Sequence, residues 1–440
     1  MKCGFYEREI TPPIGDDIPG YSGPRFNTTI HDRLFVKAAA INTGDRIEDT
    51  VILIVMDLIS VPGALYKKAL QKIEDLTQVP QKNILLAATH THTGGPIYPD
   101  DEFRRYDAPW FESTTQSVAD CAIMAYRSMQ PAEAKFARGK VENQAFCRDY
   151  LLSNGEIRTN PGWHNPLIVR PWGKDDPEFP VLFFFDEAGK PFGAVTTFTC
   201  HHDCKSGTEI SADYSGVLAR EMKQTFGADF VNILFAGCCG NINSGNPMGE
   251  KRKHKGFLEV GWALAAEERR LFNEALEPIT IDAVDAVKKV LPIKRREVTP
   301  ERLKEAHWLL EYVPTDWYQL NIANAENIMF KRCKAEAIIK HAAKPELLPS
   351  MVQVLKIGEL AFFALNAEIY AEYGLQIKEK STAKYTMVCA YANMGAGGYV
   401  PTPDVFDTPV YPAQLPSSPL VPEAGQMITD FALEIAKEVL

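Results

Sequence analysis

The chain predicts an α/β fold in which mixed sheets are flanked by helices, and three observations carry that expectation. Short apolar runs rich in β-branched residues alternate with segments of helical period along the whole length. One strand–helix–strand succession is compressed into residues 51–88, the mark of a βαβ unit. Four apolar runs stop abruptly at polar residues of chemically capable types, and loops at strand ends are where sites assemble in α/β proteins.

The elements follow in order. The first 45 residues read as turns and short strands, punctuated by Pro12-Pro13, Pro19-Gly20 and Gly23-Pro24. Leu34–Ile41 and Val51–Met56 read as strands, the second buried on both faces. Leu65, Ala69, Ile73 and Leu76 share one face of a helix over 65–76, and Ile84–Ala88 is the parallel partner strand. A helix over 110–127 precedes a strand over 134–138, and 154–180 is rich in loop residues. Val181–Phe185 and Phe192–Thr199 flank Glu187-Ala188-Gly189-Lys190 as a hairpin. A helix over 215–226 and a buried strand over 230–235 follow. Residues 260–289 and 301–340 read as helical, broken near Pro278 and Pro314, so a helical elaboration is expected over about 256–345. Strands resume at Met351 (VQVLKIG, ELAFFALNAE, YTMVCAYA) and a last helix covers 427–439. No internal repeat is visible, and residues 1–440 are expected to form a single domain.

Composition excludes several function classes. The chain is 45% hydrophobic and 24% charged, which suits a globular protein with a large core and not a disordered one. A formal net charge of -10, with no long basic tract, leaves no electrostatic footprint for nucleic acid or an anionic membrane. The one basic run, residues 251–255, reads as a solvated loop or helix start. No apolar stretch is long enough to span a bilayer, and the N-terminus lacks the apolar segment of a secretory signal. Nine scattered cysteines without a C-x-x-C pair fit reduced thiols, so a cytoplasmic location is expected.

Four strand ends carry the chemistry. The first is Thr89-His90-Thr91-His92-Thr93. Side chains alternate along a strand, so both histidines face one way, and two imidazoles on one face suit a metal. The second is Cys200-His201-His202-Asp203-Cys204, where adjacent histidines point oppositely and one of them faces the site. The third, Gly237-Cys238-Cys239-Gly240-Asn241-Ile242-Asn243, lets backbone approach a ligand closely. The fourth ends Ala364-Leu365-Asn366-Ala367-Glu368, with a carboxylate that is either a ligand or a surface group. Asp57, ending the VILIVM strand, is either a partner for a ligand histidine or a loop cap.

These residues resemble the neutral/alkaline ceramidase family. ITPPIG, GYSGPR, LLAATHTHTGGP, SADYSG, GNIN, LNAEIYAEYG and NMGAGGYVPT carry the resemblance, spread from residue 10 to about 402. The family is zinc-dependent and hydrolyses an amide bond, releasing fatty acid and sphingoid base from ceramide. Its metal is held by two His, one Glu and one Tyr. The resemblance therefore implies one zinc per chain on His90, His201, Glu368 and Tyr399, with His201 rather than His202 chosen by the FTCH frame. It implies His92 beside the metal against the reacting carbonyl, and Arg148, in AFCRDY, in the substrate cleft.

The chain departs from the family at three points. Asn243 stands where the family has a serine proposed to act in catalysis, with Asn241 at the aspartate of the same element. Residues 1–440 offer no match for the family's C-terminal immunoglobulin-like domain or its signal peptide, so neither is expected. The expected function is a zinc-dependent, ceramidase-like hydrolase that opens an amide or ester by a metal-activated water. Its substrate is expected to be a small polar acyl compound rather than ceramide. Asn243 would donate a hydrogen bond and could not be a nucleophile. The competing readings are a metal-dependent enzyme acting on a sugar or cyclitol, and a non-catalytic metal-containing binding protein. Expected partners are a small-molecule substrate and, compatibly, further copies of the chain, with no nucleic acid and no stable membrane insertion.

Overall fold

A computed structural model describes residues 1–21, 25–97, 106–249, 256–313, 328–395 and 397–440. Three sheets dominate it, and they repeat one topology. In the first, β1 (Lys2–Glu9), β2 (Phe35–Asn42) and β3 (Thr50–Met56) run antiparallel in turn; α1 (Gly63–Thr77) then crosses over to β4 (Ile84–Ala88), parallel to β3, and α2 (Ala108–Arg127) follows. The second sheet repeats this with β5 (Glu133–Lys140), β6 (Glu178–Phe185), β7 (Pro191–Phe198), α3 (Asp213–Phe226), β8 (Val231–Ala236) and α4 (Phe257–Glu274). The third begins with β9 (Val284–Lys294), inserts α5 (Pro300–Tyr312) and α6 (Ile328–Ala342), and continues with β10 (Leu347–Ile357), β11 (Leu360–Leu365), α7 (Ala371–Lys380), β12 (Tyr385–Cys389) and α8 (Ala424–Ala436).

The chain is therefore a triplicate of β-β-β-α-β-α units, although no internal repeat is legible in its residues. The units share a pattern of burial and connection, not identities, because each strand needs only apolar side chains on its two faces.

Alternation along each strand explains the packing. Val51, Leu53 and Val55 of β3 point into an interior shared with Leu182 and Phe184 of β6, Phe235 of β8, and Leu355 and Phe362 of β10 and β11. Ile52, Ile54 and Met56 point the other way, under α1 and α2. The rings of Phe235 and Phe362 meet edge to face at 5.1 Å where the second and third sheets touch. Helix pairs α3–α4 and α7–α8 cover the outer faces of those two sheets.

Most expected elements stand where the sequence put them, with three corrections. Residues 284–294 are a strand and not part of the helical elaboration, which reduces to α4, α5 and α6. Eleven residues of β9 pair with β10, and Val284, Ala286 and Ile293 are buried, so sheet pairing overrides a helix-like composition. Leu76 is exposed; the buried face of α1 is Leu65, Tyr66, Ala69, Leu70, Ile73 and Thr77. The loop-rich stretch after Asn154 contains two short strands, Ile157–Thr159 and Ile168–Pro171, paired with Asp149–Leu152. The basic run at 251–255 and the break at Pro314 lie outside the described residues. Among the described residues no helix is long and apolar enough to cross a membrane.

Candidate metal centre

The same pole of all three units supplies the site. His90 and His92 follow β4, His201 follows β7, and Glu368 follows β11. Pairing of β4 with β3 ends at Ala88, and His90 takes a left-handed backbone, φ +68°. The alternation survives this bend. Thr91 and Thr93 donate their hydroxyls to the Ser211 carbonyl at 2.8 and 2.9 Å, while both histidines turn to the opposite side.

Three imidazoles converge there. His90 Nε2 lies 3.2 Å from His201 Nε2 and 3.3 Å from His92 Nε2, and all three rings are buried. The Nδ1 of His90 donates to the Ile59 carbonyl at 2.7 Å, and that of His201 to the Cys239 carbonyl at 2.8 Å. A carbonyl can only accept, so each neutral ring carries its proton on Nδ1 and turns a lone pair inward from Nε2. Lone pairs facing each other at such distances repel unless a cation lies between them. Glu368 completes the set: its Oε2 is 3.4 Å from both Nε2 atoms and has no hydrogen bond among the described residues. Imidazole nitrogens and a carboxylate oxygen are the donor set of zinc and its neighbours, so the cluster could hold a metal ion.

Electrostatics agree with that reading. Burial pushes the Glu368 carboxyl up, but the pull of His90 and His201 outweighs it and holds the group well below the usual carboxylate range. Burial pushes His201 down to about 4, with Glu368 opposing, and drives His92 well below its ordinary value, helped by His90 and His201. A carboxylate held ionised, with His92 and His201 pushed toward their neutral forms, suits the binding of a cation.

Tyr399 stands in register with Glu368, in a short parallel pairing of Glu368–Ile369 with Tyr399–Val400. Its ring is buried, nearly parallel to His201 at 6.4 Å, and the Arg148 guanidinium lies 5.1 Å from its centroid. Burial pushes the Tyr399 phenol above its ordinary value and Arg148 opposes the shift. Arg148 is buried and donates to the Gly240 carbonyl at 2.6 Å. Gly240 is needed for contact: a Cβ there would fall 2.4 Å from the Glu368 carbonyl oxygen. Asn243 pairs with Phe146, and its Oδ1 is buried without a hydrogen bond among the described residues.

The structure separates the two adjacent histidines. His201 faces the cluster, whereas His202 stacks on Tyr214 at 3.9 Å. Asp57 is a loop cap: its carboxylate accepts from the Phe35 amide at 2.9 Å, and the Ile59 carbonyl holds His90 instead. Asn241 clamps the Glu368 segment, accepting from the Ala371 amide and donating to Glu372. Several neighbours were not singled out from sequence. Tyr391 stacks on His90 at 3.9 Å, and Tyr21 lies 5.2 Å from His92 with its hydroxyl donated to Asp203. Tyr21 lies within GYSGPR, yet nothing there gave the tyrosine a role, and Tyr391 has no such motif; each reaches the site from a different unit or loop. A cavity of about 280 Å³ opens beside the cluster, lined by His90, Glu368, Tyr391, Ser60, Asn366 and Asn393 among others.

Comparison with known proteins places this geometry. Residues 2–247 match the family model described as neutral/alkaline non-lysosomal ceramidase, N-terminal. The neutral ceramidase of Pseudomonas aeruginosa is 24% identical over 321 residues, 68% of this chain and 46% of that protein. Neutral ceramidase A of Dictyostelium discoideum is 24% identical over 156 residues, 33% of this chain and 21% of that protein. The chain thus spans about half the length, or less, of these curated relatives. The crystal structure of the Pseudomonas aeruginosa neutral ceramidase superposes with a TM-score of 0.73 at 20% identity, over 99% of this chain and 74% of that one. A structure described as ceramidase complexed with C2 gives 0.72 at 19% identity, over 99% and 75%. These superpositions carry the fold, and the family match covers more than half the chain, including His90, His92, Arg148 and His201. The chain belongs to the neutral/alkaline non-lysosomal ceramidase family.

Proposed function

We propose that the chain is a zinc-dependent hydrolase that cleaves an amide or ester bond of a small polar acyl compound. The observation that carries this reading is the convergence of three Nε2 atoms and the Glu368 carboxylate, with the proton of His90 and of His201 pinned on Nδ1 by a carbonyl. His90, His201, Glu368 and Tyr399 would hold the ion. Zinc bound there would supply Lewis acidity toward an acyl carbonyl and lower the pKa of coordinated water to about 7. His92, beside them, is placed to move the proton that hydrolysis must transfer. Arg148, against the Tyr399 ring, and the Asn243 amide would be the donors for an acyl oxygen as it gains charge.

The cavity supports a modest substrate. Its volume of about 280 Å³ lies just below the usual range of small-molecule sites, and its walls include Ser60, Asn366, Asn393 and several glycines. Glu368 keeps 18% of its side-chain exposure while His90 keeps 4% and His201 2%, so access is from the carboxylate side.

Metal analysis of purified protein should give one zinc per chain, and His90→Ala and His201→Ala should each lose it. Full zinc in either variant would overturn the ligand set. Against a panel of chromogenic N-acyl and O-acyl compounds, short polar acyl groups should turn over faster than long-chain ceramide. Ceramide hydrolysis well above the short substrates would overturn the substrate class.

A further inference from the structure

His92 differs from its two neighbours in one respect. The Nδ1 atoms of His90 and His201 are each held by a backbone carbonyl, whereas His92 Nδ1 is buried and makes no hydrogen bond among the described residues. Its side of the ring faces Gly20, where a Cβ would come within 2.7 Å of Nδ1, and the Asp203 carboxylate, whose Oδ1 lies 4.0 Å away. Asp203 is itself held: the Tyr21 hydroxyl donates to the same oxygen, and the Tyr21 ring lies against His92 at 5.2 Å. Arg25 ties the group together, with its guanidinium 4.5 Å from the centre of the Tyr21 ring and a hydrogen bond to the His92 carbonyl.

We propose that Tyr21 and Asp203 are positioning residues for His92, the hydroxyl holding the carboxylate on the Nδ1 side of the ring so that His92 carries its proton on Nδ1 and turns Nε2 to the site as an acceptor. The proposal rests on the hydrolase reading for what His92 does, but the tautomer is a property of the protein alone. The acceptor on the Nδ1 side decides between the two roles open to His92. A proton on Nδ1 makes Nε2 a base toward the attacking water, and not a donor to the carbonyl. A gap of 4.0 Å is beyond hydrogen-bond length, and catalytic contacts of this kind are often long without substrate and close when it binds. Once closed, the contact would be of the kind in which an aspartate fixes the tautomer of a catalytic histidine, where exchange for asparagine leaves the geometry intact but reverses the proton's place.

Two variants test it, in the zinc-loaded full chain. Asp203→Asn keeps the shape but has one oxygen only, so turning its N–H to His92 Nδ1 gives up accepting from Tyr21 at that atom. Tyr21→Phe removes only the hydroxyl. With ¹⁵N-histidine labelling, and the His92 signals assigned through His92→Asn, the wild type should show the Nδ1–H tautomer. Asp203→Asn should convert that ring, and no other, to Nε2–H, and Tyr21→Phe should give a mixture. With a short-chain N-acyl p-nitroanilide as probe, Asp203→Asn should lower kcat by about 100-fold or more, with KM changed less than about threefold. Zinc content should stay at the wild-type level in both variants. An unchanged His92 tautomer in both variants overturns the proposal, as does a tautomer change that spreads to His90 and His201 with loss of zinc. If the wild type turns over no acyl probe, the hydrolase reading fails, and the tautomer measurement still decides the role of the pair.

Discussion

A single hydroxyl separates two roles for Tyr399. As a buried ring it packs between His201, Arg148 and Tyr411; as a ligand it contributes its oxygen. Tyr399→Phe keeps the ring, so a packing role predicts a loss of no more than about 1 kcal/mol in stability. The proposed ligand role predicts weaker zinc binding and turnover lower by about 10–1000-fold, read by metal titration and kinetics. Gly20 offers a second test. It has φ +114°, and a Cβ there would press on His92, so Gly20→Ala should keep zinc yet lose turnover by about tenfold or more. At this scale the sequence was informative wherever a residue type has few uses. Paired histidines at a strand end pointed to a common focus, and FTCH chose His201 over His202. Tyr21, Asp203 and Tyr391 gave no such signal, because a tyrosine or aspartate in a loop has many ordinary uses and only the folded chain puts these beside an imidazole.

Element α4 carries a charge problem of its own. Glu268 is fully buried between the helix and the second sheet, where one carboxyl oxygen accepts from Asn232 at 2.5 Å and the other has no hydrogen bond among the described residues. Burial pushes its carboxyl up to about 8, only partly offset by Asn232 and Arg269. The folded value lies above the unfolded 4.5, so the folded state holds the extra proton between them. The contribution to stability is therefore complete below about 4.5 and is lost as pH rises through about 8, by on the order of a few kcal/mol. Glu268→Gln should flatten the decline of denaturation midpoint between pH 5 and 8. A decline of the same slope in the variant would place its origin elsewhere. The strand β9 shows why elements are not always legible. Its first half follows a long helical run and carries Ala and Lys, so it reads as a continuation of helix, and the eleven-residue pairing with β10 makes it a strand. The βαβ unit at 50–88 was legible because each piece of it is apolar on the face it buries.

At the scale of the whole molecule, no one unit owns the site. The first unit brings two histidines, the second a histidine, and the third a carboxylate with Tyr399 close behind. Residues 1–127, the first unit alone, should therefore bind no zinc. The full chain should unfold in a single cooperative transition, since one interior is lined by all three sheets. Two stable fragments from limited proteolysis, or two separated calorimetric peaks, would contradict this. The triplication could not be read from sequence because its units align by connection and burial, and those constrain hydropathy far more than identity.

The convergence of the three units at one pole gives a bound ion a mechanical meaning. His90 and His201 lie 111 residues apart in sequence and belong to different units. An ion joined to both, and to Glu368, would close two long loops at once, as a covalent staple does, and would hold three otherwise separate sheets by their tips. Binding to the folded form alone stabilises it by about 2.7 kcal/mol when free metal stands at ~100 times its dissociation constant. Chelation should then lower the melting temperature of the whole chain in step, and added zinc should restore it, because the clasp and the catalyst would be the same atom.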